Sequence, residues 1–285
     1  MVSAPARREQ ARFARARGLS LRRACALVGV ARSAVGYVSR RAARDAPIRA
    51  RLRQLSREQP RWGHRFMRAM LKRDGHAMSL TRTLRLWRAE GLCLPRRRPR
   101  RRRRGTASSA QFTASRPNEV WAIDFVFDRC EAGTLKCLTI IDEHTRRCLA
   151  LDVARSLRGK RVVDVLGELV REHGAPRVIR SDNGPEFISK VLFDFALAEG
   201  INKAFIEPGN PWQNGRNESF NGKFRNECLS AEWFRSLAEA RVVIEAWRRA
   251  YNGVRPHSSL DYLTPNEYTA RIHQQPSVPT ASTFT

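Results

Sequence analysis

Three carboxylates in this chain stand where a regular element could hold them rigidly for chemistry: Asp124, Asp182 and Glu218. Asp124 lies inside the apolar, aromatic run from Val120 to Phe127, which reads as a buried strand. Alternation along that strand puts Asp124 on one face with Val120, Ala122 and Val126, and Trp121, Ile123 and Phe125 on the other. A lone carboxylate there is costly unless something cationic compensates it. Asp182 follows a second apolar strand, Arg177 to Ser181, and leads into Asn183-Gly184-Pro185, a turn with proline placed to open a helix from Glu186 to Glu199. Glu218 comes after an interval of 35 residues, in a helix expected from about Asn214 to Leu229. In that helix Phe220, Phe224 and Cys228 form an apolar stripe, and Asn214, Glu218, Asn221, Gly222 and Arg225 form the polar face. Hard oxygen ligands of this kind suit Mg²⁺ or Mn²⁺. Two such ions about 3.5–4 Å apart can serve an in-line displacement at phosphorus, and three acids, one of them bridging, are a sufficient ligand set. We read Asp124 as the bridging ligand, with Asp182 on one metal and Glu218 on the other.

Taken singly, each acid is an ordinary structural carboxylate, since a chain with 27 acidic residues offers many triples of any spacing. The flanking words carry more weight. Trp121-Ala-Ile-Asp124, Ser181-Asp-Asn-Gly-Pro-Glu-Phe187 and Glu218-Ser-Phe-Asn-Gly-Lys-Phe-Arg225 occur in that order, followed by Trp247-x-x-x-Tyr251-Asn252 and Arg255-Pro-His-Ser-Ser-Leu260. From about Pro117 to Tyr268 these words resemble the integrase-like catalytic core of bacterial insertion-element transposases, the DDE class, and within it the large family with a two-frame coding arrangement. The resemblance implies a DNA transposase with Asp124, Asp182 and Glu218 as catalytic and metal-binding residues. It implies two steps: water first frees a 3′-hydroxyl at an element end, and that hydroxyl then attacks target DNA. The partners it implies are element-end and target DNA, further copies of the chain on that DNA, and a protein from an upstream frame. Asp261 stands where the family pattern usually has glycine. His257 has no metal-type partner at useful spacing and is read as structural or DNA-facing. Two other readings use the same residues: a nuclease of this fold that only hydrolyses, and a DNA-binding regulator with an inactive core.

The elements that must position the acids follow from Arg116 onward. Val120–Phe127, Leu135–Asp142 and Cys148–Val153 read as a three-stranded meander, and a helix from Lys160 to His173 follows. The Asp182 strand, a helix, a strand near Ile201–Ile206 and the Glu218 helix complete the order. That order predicts an α/β, ribonuclease H-like core: a mixed five-stranded sheet with helices on both sides. Pro208 to Arg216 is a loop expected to be mobile without DNA, with Trp212 read as its anchor. A last helix is expected from about Leu237 to Tyr251, and the tail after Thr269 is expected to fray.

Charge divides the chain. Residues 1–110 hold 31 Lys+Arg against 5 Asp+Glu, whereas residues 111–285 hold 23 against 22. The whole carries +27, and nearly all of the excess lies outside the proposed core, as in a polyanion-binding region joined to a nuclease fold. Five segments are expected: a basic helix-turn-helix-like region at 1–45, a second helical DNA-binding module at 46–95, an Arg-rich linker at 96–115, the core at 116–230, and a helical extension and tail at 231–285. In the first, Ser20 caps a helix through Val28, Gly29 makes the turn, and a second helix runs from Ala31 to Arg41, with Leu21, Ala24, Cys25, Val28, Val30, Val35 and Val38 inside. In the second, Trp62-Gly-x-Arg65 looks like the start of the family's module, and Trp62 and Trp87 are read as core residues. The linker packs eight arginines into ten residues, Arg96, Arg97, Arg98, Arg100, Arg101, Arg102, Arg103 and Arg104, and such a block repels itself and can track phosphates. The six cysteines show no Cys-x-x-Cys spacing, so neither structural zinc nor a disulfide framework is expected. No run approaches membrane-span length, and a cytoplasmic, nucleoid-associated location is expected.

Overall fold

The computed structural model describes residues 3–37, 41–95, 114–205 and 215–274. They form two compact units, Met1–Pro60 with Leu71–Cys93, and Arg61–Met70 with Leu94–Thr285. The arginines from Arg96 to Arg104, together with Val38 and Trp212, lie outside the described residues.

The first unit is helical. α1 (Ala4–Ala16), α2 (Leu21–Val28) and the single turn α3 (Arg32–Val35) enclose Ala11, Cys25 and Val35, with Leu21, Val28 and Val30 packed against them. Ser20 accepts from the Arg23 N–H at the start of α2, and Gly29 ends it in the left-handed conformation (φ 63°), as the sequence predicts. The second helix is shorter than expected, because Gly36 interrupts it where continuation to Arg41 was predicted. A long helix, α4 (Arg41–Glu58), then runs through position 45/46 with Pro47 inside it rather than at its start. Its buried Asp45 receives Arg82 and Arg85 of α6 (Leu80–Ala89), and Arg49 and Arg53 both reach Glu90. These bridges tie α6 and its C-terminal end to α4, beside the buried Ile48, Leu52, Leu55, Leu86 and Trp87. Between α4 and α6 in sequence comes α5 (His64–Arg73), most of which, like Trp62, belongs to the second unit; Trp62 and Trp87 are both buried.

The second unit is built on a five-stranded sheet. Its strands are β1 (Val120–Cys130), β2 (Gly133–Asp142), β3 (Cys148–Ala154), β4 (Val178–Ser181) and β5 (Asn202–Phe205), in the order β3-β2-β1-β4-β5. β1 to β3 pair antiparallel as the meander; β4 and β5 join parallel, each after a helical crossover. β1 sorts its side chains as alternation demands. Ala122 and Val126 face Phe220, Phe224 and Cys228 of the Glu218 helix, and Trp121 and Ile123 face α7 (Gly159–His173) and α8 (Lys190–Ala198). Helices therefore cover both sheet faces, and the unit has the ribonuclease H-like α/β fold.

Three elements depart from the sequence reading. α8 begins at Lys190, not Glu186, because residues 182–189 are held as a tight turn described below. The Glu218 helix is α-helical only over α9 (Gly215–Phe224) and continues as a π-helical turn, Arg225–Leu229. The tail does not fray at Thr269: α11 spans Pro265–Gln274 after α10 (Leu237–Gly253). Thr264 and Glu267 close α11 reciprocally, Thr264 N–H donating to the Glu267 carboxylate and Glu267 N–H to the Thr264 hydroxyl. Asp261 takes φ 52°, the left-handed conformation that explains glycine in the family pattern at that position.

Candidate active site

The parallel register places Asp124 and Asp182 together. Ala122 pairs with Arg180 across β1 and β4, so two residues further on the chain reaches Asp124 within β1 and Asp182 just past the end of β4. Strands lie about 4.8 Å apart in the pairing direction, which brings the two carboxylates side by side. Asp124 is half-buried, whereas Asp182 and Glu218 are exposed.

α9 supplies the third acid and is aligned by a bond to the first. Asn221 Nδ2 donates to Asp124 Oδ2 at 2.8 Å, and the other oxygen accepts the Phe125 N–H at 2.8 Å. Asn221 is one turn beyond Glu218, so the same bond sets Glu218 at the rim of the Asp124 site. Thr139, opposite Asp124 in β2, places its hydroxyl 3.2 Å from the Asp124 carbonyl and 3.3 Å from Asn221 Oδ1. Phe220, Phe224 and Cys228 anchor the helix by burial beneath.

The turn carrying Asp182 is fixed from several sides. Asp182 Oδ1 accepts the Gly184 N–H at 3.0 Å; a Cβ at Gly184 would lie 3.0 Å from that oxygen, so the turn fits tightly around the carboxylate. Phe187 is buried and stacks on Phe125 with centroids 4.8 Å apart. Lys136 pairs with Glu186 while its Nζ sits 4.0 Å from the Phe125 ring centroid. Lys203 Nζ donates to the Phe187 carbonyl at 2.8 Å. The start of α7 also comes close, and a Cβ on Gly159 would meet Ser189 Oγ at 2.5 Å.

One buried carboxylate links the elements of the two exposed acids. Glu143, just past β2, receives Arg180 Nη1 at 2.6 Å, and Arg216 lies 3.6 Å away while donating to the Glu143 carbonyl at 3.1 Å. Arg180 stands two residues before Asp182, and Arg216 two before Glu218. Burial outweighs both guanidiniums and holds the Glu143 pKa above the usual carboxylate range. Glu143→Ala would leave Arg180 buried without its counter-charge. Breaking such a pair costs about 3–5 kcal/mol, so calorimetry should find a markedly lower thermal midpoint, and an unchanged midpoint would contradict this role.

Electrostatics ties the acids together. Burial pushes Asp124 up to about 6, the Phe125 N–H opposes it, Asp182 adds to the rise, Arg225 opposes it, and Glu218 adds again. Three carboxylates thus face one another across a partly desolvated site, with Arg225 the nearby cation. Arg225 is exposed, and its Nη1 donates to the Phe127 carbonyl at 3.2 Å. Among the described residues no group of three or more His, Cys, Asp or Glu side chains is placed so that it could hold a metal ion. His257 is buried and neutral, its pKa pulled to about 3 by burial and neighbouring cations, with Nε2 3.4 Å from the Tyr251 carbonyl. Sequence reasoning gave no role to Thr139, Lys136, Glu143, Arg180 or Lys203. Asn221 alone had a local signal, since it shares the Glu218 face.

The fold and the paired acids define an integrase-type core, and comparison with known proteins agrees. Integrase core domain models match residues 114–211 and 199–265, and an HTH-like domain model matches residues 43–100. The chain is 41% identical over 266 residues to the insertion element IS407 uncharacterized 31.7 kDa protein of Burkholderia multivorans, covering 92% of this chain and 95% of that one. It is 39% identical to the insertion element IS476 uncharacterized 39.2 kDa protein of Xanthomonas euvesicatoria, over 90% of this chain and 74% of the other. The transposase for insertion sequence element IS904 of Lactococcus lactis is 28% identical, over 55% of this chain and 63% of its own length. Among solved structures, a chain of the simian T-cell lymphotropic virus intasome in complex with PP2A regulatory subunit B56 gamma aligns with a TM-score of 0.48 at 16% identity, over 80% of this chain and 76% of that one. The HTLV-2 integrase catalytic core in complex with magnesium aligns with a TM-score of 0.44 at 16% identity, covering 54% of this chain and 97% of that one. This chain belongs to the insertion-element transposase family with an integrase-like core. Its general role is in DNA transposition, as a polynucleotidyl transferase-type enzyme with DNA as its partner, in a family that typically uses divalent metal. No described helix is long and apolar enough to cross a membrane.

Proposed function

We propose that the chain cleaves DNA at insertion-element ends and joins the freed 3′-hydroxyl to target DNA, using divalent metal held by Asp124, Asp182 and Glu218. The observation that carries this reading is the convergence of the elements that bear the three acids: β1 lies beside β4 and the turn that follows it, and Asn221, one turn beyond Glu218, bonds Asp124. The donor set fits Mg²⁺ or Mn²⁺: every ligand is a hard carboxylate oxygen, and a dication would offset the burial, and after it the neighbouring carboxylates, that raise Asp124. When bound, a pair of such ions activates an attacking oxygen and neutralises the charge on the leaving one.

The chain's own residues supply orientation. Asn221 and the Phe125 N–H fix both oxygens of Asp124, the Gly184 N–H fixes one oxygen of Asp182, and Glu218 stays free to complete the site from solvent. Arg225 projects beside this set, where it can hold a phosphate of the end DNA. Such DNA would be gripped largely by the basic N-terminal region, and joining two ends requires more than one copy of the chain. Strand transfer with labelled element-end DNA tests the reading. Joined product is expected with Mg²⁺ and none without it, whereas nicked but never joined DNA would favour a purely hydrolytic nuclease.

Asn221→Ala should reduce joining about 10–100-fold, the usual cost of losing a residue that orients a metal ligand. Initial rates at saturating DNA are the check, and wild-type rates would remove Asn221 from the account. Arg225→Ala should weaken crosslinking to end DNA without changing the circular dichroism spectrum, since Phe220 and Phe224 carry the packing. Arg225→Lys should restore crosslinking only in part if the phosphate contact is bidentate.

A further inference from the structure

On the other side of α9 lies a cavity of about 220 Å³, with Arg146, Arg216, Ser219, Lys223 and Ser259 among its walls. Lys223 follows Glu218 by five residues, so it projects about 140° round the helix from the metal-facing side, away from Arg225. Its Nζ donates to the Ser219 hydroxyl at 2.8 Å and the Ser219 carbonyl at 3.1 Å, which leaves a third N–H and the Ser219 proton available. Arg146 is carried on a left-handed backbone (φ 62°), and its guanidinium makes no hydrogen bond or ion pair among the described residues. Lys223 is likewise in no ion pair, and Arg216 stands beside both. Of the nearby carboxylates, Glu227 pairs with Arg255 at 2.6 Å, and Glu143 pairs with Arg180 at 2.6 Å and with Arg216 of the cavity wall at 3.6 Å, which leaves Lys223 and Arg146 outside the ion pairs of the described residues.

Gathering like charges in a half-enclosed site costs stability, and the cost is visible. Burial, then Arg255 and Arg146, pull Lys223 down to about 8 against the opposing Glu227. Burial, then Arg216, lower Arg146 as well. The first turn of α9, whose N–H groups have no intrahelical partners, lines the same cavity through Gly215 and Arg216. Two cations outside any ion pair among the described residues, hydroxyl donors and a helix start are the chemistry of an oxyanion site.

We propose that this cavity is a phosphodiester subsite, taking one backbone phosphate of the DNA strand that passes α9, with Lys223 and Arg146 as its cationic ligands. The proposal rests on the DNA-processing reading above, and it makes α9 a two-sided element. One face carries Glu218, and the other registers the strand that Glu218 acts on. A free phosphate ion offers the same chemistry, so the test must separate the two sources.

The full chain is titrated, without metal, with end DNA in which single phosphates are replaced in turn by uncharged methylphosphonates. Wild type should lose about tenfold in affinity at one linkage, the scale of a hydrogen bond to a charged group. Lys223→Met and Arg146→Gln, each with a near-wild-type thermal midpoint, should bind more weakly overall and lose less than twofold at that same linkage. Lys223→Arg should restore the sensitivity. Equal penalties in wild type and both variants at every linkage would overturn the proposal. In a second arm, inorganic phosphate is titrated and followed by ³¹P line broadening. Phosphate binding that the variants abolish, with no coupled linkage on DNA, would give the cavity to a free oxyanion and overturn the DNA assignment. A chain that binds no DNA at all would defeat the functional reading instead, and failure to bind phosphate as well would then dispose of the cavity.

Discussion

Asp124→Asn, Asp182→Asn and Glu218→Gln should each abolish cleavage and joining while leaving DNA binding intact. On the proposed reading each substitution would remove one charged oxygen ligand from a set of three, and a neutral amide oxygen is a much weaker ligand for Mg²⁺. Loss of a catalytic metal removes both activation of the attacking oxygen and stabilisation of the leaving one, so rates should fall by at least about 10³-fold. The fold should survive. Asp182 and Glu218 are exposed, and at Asp124 an amide still offers an oxygen to the Phe125 N–H. Wild-type-like joining by any one of the three would remove that residue from the site.

The second large effect concerns charge outside the core. Neutralising Arg96, Arg97, Arg98, Arg100, Arg101, Arg102, Arg103 and Arg104 to glutamine should weaken DNA binding by orders of magnitude at low salt. Each phosphate neutralised contributes about 0.9 to the slope of log affinity against log salt, so a tract of eight arginines contributes several units if it follows the backbone. The slope of the variant, measured by fluorescence anisotropy from low to physiological salt, should be shallower by about 3 or more. An unchanged slope would make the tract a solvated tether. Turnover at saturating DNA should change far less, because none of the three acids is altered.

Much of the site was legible in the sequence, and for a physical reason. Strand alternation around Asp124 and the Phe220, Phe224, Cys228 stripe are short-range periodicities, and a chain that buries one face must display them. The two sheet faces and the orientation of α9 follow from them directly. What stayed hidden depends on pairing between distant segments. Thr139 matters because the β1–β2 register sets it opposite Asp124, and Glu143 because it meets Arg180 and Arg216, which are 37 and 73 residues away. No local pattern marks such partners. The late start of α8 belongs to the same class, since Phe187 is drawn into the core and Lys136 and Lys203 hold the turn. The missed α11 is different. Its reciprocal Thr264–Glu267 cap and the proline at its first position were readable in the sequence.

α9 is held by its apolar side, and its polar residues flank that side. Its buried stripe fixes the helix, Asn221 sets its rotation against Asp124, and the polar residues on either side are then placed without freedom of their own. The π-helical turn after Phe224 lets Arg225 reach the Phe127 carbonyl beside β1 while Cys228 and Leu229 stay buried.

The most direct test of the central claim is anomalous diffraction from crystals of the chain with end DNA, soaked in Mn²⁺. The account predicts one or two manganese peaks within about 2.0–2.3 Å of carboxylate oxygens of Asp124, Asp182 and Glu218, a pair lying about 3.5–4 Å apart. Ordered DNA beside α9 with no manganese at these acids, or manganese held by other residues while joining proceeds, would contradict it.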